Sequence, residues 1–331
     1  MRRFRIALTG TLGVLGDQLA RLLDADESCG RLVLLDLVPP PRELRKARYY
    51  RVDLTQSTAS ARIAEALDRE HVDAVVHLAF FQHPTRNPAD THELESLGTM
   101  FLLHALASLG RAGGAVHLVL GSSTLVYGAR PRRPASLCEE TPLVGDPEYP
   151  LVGGKIDAER QAVRYHEAEG GAITILRMAP ILSPRARTLA GRYLKLPAVP
   201  TIVGFDPMMQ TLALTDAVEA LRIAIHRGLA IGGKGPLRAF NICGEGAVPL
   251  HAAIRLCGRR PFPLLRFAAA RLLDALFPLG LAIAPSPHLD YLQFPCVADG
   301  ERARVELGFA PRHSTRDTLV DYARAPLRDA A

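Results

Sequence analysis

No Cys-x-x-Cys occurs in the 331 residues, and the five cysteines (29, 138, 243, 257 and 296) are odd in number and scattered. Such a set makes neither a disulfide framework nor a zinc site, and it points to reduced thiols in a cytoplasmic setting. The eleven histidines are as dispersed. His83, His92 and His104 lack metal-ligand spacing, so no metal is expected. No Gly-x-Ser-x-Gly elbow surrounds Ser122 or Ser123, which removes the usual serine-hydrolase arrangement. A lysine-rich block is also missing. The net charge of +6 comes from arginines spread along the chain. Nucleic acid is therefore the weaker reading, and an anionic small molecule or membrane surface is equally compatible. There is no internal repeat or low-complexity segment. Met1-Arg2-Arg3 runs straight into apolar residues, so no signal peptide is expected.

What is present is an ordinary globular balance, 48% hydrophobic and 22% charged, in a length that suits one large α/β domain or two smaller ones. The organising stretch is Ile6 to Gly16, Ile-Ala-Leu-Thr-Gly-Thr-Leu-Gly-Val-Leu-Gly. An apolar strand ends in Thr9, glycines fall at 10, 13 and 16, and Asp17 to Asp26 reads as helix. That is the strand, tight turn and helix N-terminus that hold a dinucleotide pyrophosphate. Gly10 permits the turn, Gly13 admits phosphate, and Gly16 lets helix and strand pack closely. The next strand, Arg31 to Asp36, ends in a carboxylate at the offset where an acid meets the ribose hydroxyls of NAD and repels a 2′-phosphate. The predicted cofactor is NAD rather than NADP.

Strands are predicted at Ala47 to Val52, Asp73 to Leu78, Ala115 to Leu120 and Ala172 to Met178. Helices are predicted at Gln56 to Arg69, His92 to Leu109 and Leu151 to Glu169. This β-α-β alternation predicts a Rossmann-type doubly wound parallel sheet with right-handed crossovers. Residues 1–178 are expected to form the dinucleotide domain, with 212–243 returning to it, and 179–331 a smaller substrate or cap domain. Hydroxyl-rich Gly121 to Gly128 lies at a strand's carboxyl end, where such sheets bind ligands. Phe262 to Pro285 is the most apolar region, interrupted by Arg266, Arg271, Asp274 and Pro278, and too broken to span a bilayer comfortably. A cap helix covering the cleft is the favoured reading; a surface touching membrane or a lipid-like substrate is the alternative.

The chain resembles the extended short-chain dehydrogenase/reductase family, of the NAD-dependent sugar epimerase/dehydratase type. The residues that carry the resemblance are Thr9-Gly10-x-x-Gly13-x-x-Gly16, Asp36, Asp53-Leu54, His77-Leu78-Ala79 and Ser122-Ser123-Thr124-x-Val126-Tyr127-Gly128. It implies cofactor contacts at Gly10, Thr11, Leu12, Gly13, Gly16, Asp36, Asp53, Leu54, Leu78, Ala79, Phe80 and Lys155. Asp53 and Leu54 would flank the adenine, and His77 would be a packed core residue. Thr124 would orient the substrate oxygen and Lys155 would hold the ribose. The family also needs Tyr-x-x-x-Lys on the following helix. Lys155 fits, but Leu151 stands in the tyrosine's place, and leucine moves no proton. Tyr149 is the rescue candidate as acid/base, although six residues from Lys155 is the wrong helical face. Glu95, Ala213 and Pro180 are further departures on the reaction side. The resemblance implies a homodimer built from the helices at 92–109 and 151–169. Two functions stay open: redox or isomerase chemistry on a nucleotide-sugar-like or other hydroxylated small molecule, or a non-catalytic NAD-binding sensor or scaffold.

Overall fold

The computed structural model describes residues 3–184 and 187–325; Met1, Arg2 and the last six residues of the expected cap lie outside them. Near-continuous apolar strands make the centre of the molecule. β1 (Phe4–Thr9), β2 (Cys29–Asp36), β3 (Ala47–Arg51), β4 (Ala74–His77), β5 (His117–Ser123) and β6 (Ile173–Met178) are joined by Leu237–Ile242, a late strand. The sheet order is β3-β2-β1-β4-β5-β6 and then Leu237–Ile242, every neighbouring pair parallel. This is the doubly wound sheet that the alternation predicts. The order reverses between β1 and β4, which opens the crevice where such sheets bind ligands.

Helices cover both faces. α1 (Val14–Ala25) and the later Leu214–Ile231 lie on one side, where Leu19, Leu23, Leu221 and Ile225 join Leu8, Leu32 and Val119 in one core cluster. α2 (Ala59–Arg69), α3 (Gly98–Arg111) and α4 (Gly153–Glu169) lie on the other, over Val33, Val75 and Leu118. A third cluster, Tyr193, Val199, Leu250, Ile254, Leu289 and Leu319, is the core of the smaller C-terminal part.

Several boundaries differ from expectation. α1 starts at Val14, immediately after Gly13, rather than at Asp17. The segment before α3 is a wide-turn π-helix over His92–Leu97. β5 runs on through Gly121, Ser122 and Ser123, so these hydroxyls belong to the strand itself. α4 begins at Gly153. Leu151 sits in the turn before it, where the amides of Val152 and Gly153 donate to Tyr149 O at 2.8 and 2.9 Å.

The expectation for Phe262 to Pro285 is corrected more substantially. The expected cap helix is only part of the stretch, and no residue of it lines the cleft. The stretch begins with the end of strand Arg260–Leu264, which pairs in parallel with Ala198–Ile202, and continues as one helix, Arg266–Leu276. Ala269, Ala270 and Leu273 pack inward, while Leu265, Phe267, Leu272, Leu279 and Leu281 are exposed. The helix is apolar on two faces, and the fold covers only one.

Candidate functional site

The glycine turn builds the floor of the site. Gly10 has φ +75°, a conformation in which an L side chain is strained, and a Cβ there would lie 2.4 Å from Leu78 C. A Cβ on Gly16 would lie 2.3 Å from Gly10 O, so α1 reaches β1 only because both residues lack one. Gly13 is different: its Cβ would come no nearer than 3.4 Å to Gly10 O. The protein's own packing leaves that space open at the N-terminus of α1, where the backbone amides suit an anion.

Asp36, at the end of β2, faces the glycine turn. Its Oδ2 accepts from Thr11 N at 2.7 Å and from Thr11 Oγ1 at 2.5 Å. Burial raises its pKa, against the pull of the Thr11 bonds. Thr11 thus ties the glycine turn to the end of β2. Asp53 Oδ1 accepts from the amide and hydroxyl of Thr55, closing its own turn. Leu54 is buried against Gly98. His77 is a satisfied core residue. Thr99 Oγ1 donates to Glu95 O, so it accepts from His77 Nε2 at 3.0 Å, and Nδ1 accepts from Thr9 Oγ1 at 2.7 Å.

Two cavities open above the sheet. The first runs from Gly10, Leu12, Gly13 and Gly16 past Leu78 and Phe80 to Gly121 and Ser122. The second is walled by Ser123, Leu125 and Leu151 and by C-terminal residues Met208, Met209, Leu250, His288 and Tyr291. They share Phe81, Gln82, Ser122, Lys155, Met178, Ile181 and Thr188. Of the residues expected at the site, Gly10, Leu12, Gly13, Gly16, Leu78, Phe80 and Lys155 line these cavities. Thr11, Asp36, Asp53, Leu54, Ala79, Thr124 and Tyr149 are not among the lining residues.

Lys155 carries a partner that spacing does not reveal. Its Nζ lies 3.2 Å from Glu95 Oε1 and donates to Phe81 O at 3.0 Å, while Phe81 N donates to Glu95 Oε1 at 2.7 Å. Burial pushes the Glu95 carboxyl up, against the pull of Lys155 and the Phe81 amide. Gly154 makes the room: a Cβ there would lie 2.4 Å from Glu95 Oε2. A second buried pair stands behind the pocket. Arg177 Nη2 meets Glu159 Oε2 at 2.7 Å, Glu159 Oε1 accepts from Ser122 Oγ at 2.5 Å, and Arg177 Nη1 donates to Tyr127 OH at 2.9 Å.

Thr124 is buried, and its Oγ1 has no hydrogen-bond partner among the described residues. Tyr149 is fully buried. Its hydroxyl pairs with His288 Nδ1 at 3.1 Å, and burial drives the phenol pKa well above its usual value. A phenol so raised is poorly suited to trade protons at neutral pH. His288, held down to about 4 by burial, reaches the cavity where Tyr149 does not. Sequence reading missed His288 because it comes from a short turn, Ser286–Leu292, about 140 residues further along the chain.

The NAD dependent epimerase/dehydratase family matches residues 6–231. The chain belongs to that family. NAD is the cofactor its description carries, and the glycine cradle and Asp36 fit a dinucleotide. An uncharacterized protein of Mycobacterium tuberculosis (strain ATCC 25618 / H37Rv) is 30% identical over 328 residues, covering 96% of this chain and 83% of its own length. GDP-6-deoxy-D-mannose reductase of Pseudomonas aeruginosa is 28% identical over 199 residues, 56% of this chain and 62% of the reductase. The crystal structure of dTDP-glucose 4,6-dehydratase from Streptomyces venezuelae, with NAD bound, superposes with a TM-score of 0.72 at 20% identity. The match covers 97% of this chain and 96% of that one.

Proposed function

We propose that this epimerase/dehydratase-family protein binds NAD(H) and acts as an oxidoreductase or isomerase on a hydroxylated small molecule. The observation that carries the reading is the shared wall of the two cavities, along which a dinucleotide in the first would meet a small molecule in the second. Bound NAD supplies hydride acceptance or donation at that junction. The chain supplies the rest. Gly10, Gly13 and Gly16 bring the N-terminus of α1 to the pyrophosphate. Asp36 accepts from the ribose hydroxyls and repels a 2′-phosphate. Thr124, whose buried hydroxyl has no partner among the described residues, lies behind the lining residues Ser123 and Leu125 and would turn between them to orient a substrate oxygen. Lys155 borders both ligands with its ammonium held by Glu95.

The second reading, a non-catalytic NAD-binding sensor or scaffold, is favoured by one specific observation. Leu151, four residues before Lys155, lies in the cavity wall where the family's proton-transferring phenol is expected. General acid–base catalysis typically contributes ~10²–10⁴ in rate, so its loss leaves turnover feeble unless another group substitutes. Calorimetry and kinetics together test both readings. NAD⁺ is expected to bind more tightly than NADP⁺, and Asp36→Ala to weaken NAD⁺ and erase the preference. Tighter NADP⁺ binding by the unmutated protein would overturn the cofactor assignment. Where turnover is found, Tyr149→Phe and His288→Phe divide the proton step. A hundredfold fall in rate for either, with NAD affinity unchanged, excludes the non-catalytic reading. We further propose a homodimer through α3 and α4, which light scattering of the purified protein tests.

A further inference from the structure

The cavity beside the dinucleotide cleft is nearly without usable charge. Its C-terminal wall is Met208, Met209, Leu250, Tyr291 and Leu292, and Met178 closes it from the sheet side. Lys155 is the one lysine or arginine among its described lining residues, and buried Glu95 already neutralises it. His288 stays neutral above about pH 4, and burial pushes the Cys296 thiol up to about 12. A diphosphate drawn into such a place gives up water for no counter-charge. Methionine side chains, in contrast, adapt to irregular apolar shapes.

The surface next to this cavity has a matching character. Helix Arg266–Leu276 packs on the turn Ser286–Leu292, which supplies His288, Tyr291 and Leu292 to the cavity wall. Leu265 just before the helix, Phe267 and Leu272 on it and Leu279 in the turn after it are each at least 50% exposed. Arg271 stacks over Phe267 at 4.3 Å. Neither Arg271 nor Arg260 has a carboxylate partner among the described residues. From 255 to 281 there are five arginines against one aspartate; Arg266 is paired with Asp290 at 2.9 Å, and Asp274 accepts from the amide of Ser286. On the outward side of the helix Arg271 lies between exposed Phe267 and Leu272, a mixed basic and apolar surface that fits the headgroup boundary of an anionic bilayer.

Building on the NAD-dependent reading, we propose that the second cavity takes an uncharged, apolar, lipid-like molecule rather than a nucleotide sugar, and that the Arg266–Leu276 face meets the anionic bilayer that holds it. The full-length protein tests both halves, with NADH binding followed separately by nicotinamide fluorescence. Nile red, a neutral apolar dye, should bind saturably with a blue-shifted emission, and UDP-glucose should not displace it. Met209→Arg, which puts a charge into the cavity, should weaken the dye at least about tenfold and leave NADH binding unchanged. Displacement by UDP-glucose, or equal dye affinity in Met209→Arg, overturns the substrate class. Loss of NADH binding in the unmutated protein fails the cofactor reading instead, whatever the dye does. The protein should sediment with phosphatidylcholine vesicles containing phosphatidylserine, and about tenfold less with phosphatidylcholine alone. Leu272→Ser with Phe267→Ser should abolish sedimentation while dye and NADH binding persist. Wild-type protein left in the supernatant overturns the docking half. So does a double variant that still sediments but has changed from dimer to monomer, because the face would then join two copies of the chain.

Discussion

Glu95 and Lys155 have side chains only 0% and 5% exposed, so each charge depends on the other. Removing one partner of a buried pair leaves the other uncompensated and typically costs about 3–5 kcal/mol, while replacing both is far milder. Lys155→Met is therefore expected to destabilise by several kcal/mol in urea unfolding. Glu95→Gln keeps an oxygen for the Phe81 amide and is expected to recover much of that loss when combined with Lys155→Met. Additive losses in the double variant would show that the pair is not coupled. Sequence reading finds Lys155 by its place after Leu151 and marks Glu95 as a departure. It cannot join them, because they are 60 residues apart and meet only when the π-turn His92–Leu97 lies against Gly154. Asp36 is legible at the end of its strand, but its hold on Thr11 is not, since any hydroxyl-bearing turn could have faced elsewhere.

At the scale of elements, the turn between β1 and α1 separates packing from binding. Gly16→Ala sets a methyl against Gly10 O and is expected to lower the melting temperature by several degrees or prevent folding. Gly13→Ala meets only ordinary contact at 3.4 Å and is expected to melt within a degree or two of wild type. Its methyl instead occupies the approach of a pyrophosphate, so NADH affinity should fall about tenfold or more. Equal NADH affinity in Gly13→Ala would remove this turn from the binding site. The cofactor-side elements are legible because buried parallel strands are continuous apolar runs punctuated by glycine. The helix Arg266–Leu276 is legible only in part. Apolar composition says that faces want covering, but not how many the rest of the chain can cover, and here only the Ala269 and Leu273 side finds a partner. Met208, Met209 and His288 come from short, irregular C-terminal pieces whose spacing carries no period to read.

Among the described residues, His77, His117 and His288 are held neutral by burial, and this shapes the response of the whole molecule to acid. Burial holds His77 down to about 3 and His117 and His288 down to about 4. In the unfolded chain each returns to about 6.5. Between these values the unfolded state takes up protons that the folded state refuses, so stability rises with pH and is lost as pH falls from about 6.5 towards 4. Each histidine contributes a slope of about 1.4 kcal/mol per pH unit once its unfolded form is protonated. Asp36 and Glu95 act in the opposite sense, because burial raises them, and their contribution is lost as pH rises through their folded values. Urea unfolding at pH 7.5, 6.5 and 5.5 is expected to give a small loss over the first step and a larger one over the second. His117 Nε2 pairs with Thr174 Oγ1 at 3.1 Å, and a glutamine amide can take over that bond without titrating. His117→Gln should therefore reduce the loss between pH 6.5 and 5.5 by about one histidine's share, whatever it does to stability at pH 7.5. A loss between pH 6.5 and 5.5 that His117→Gln leaves unchanged would mean that the His117 ring is not held neutral in the folded chain.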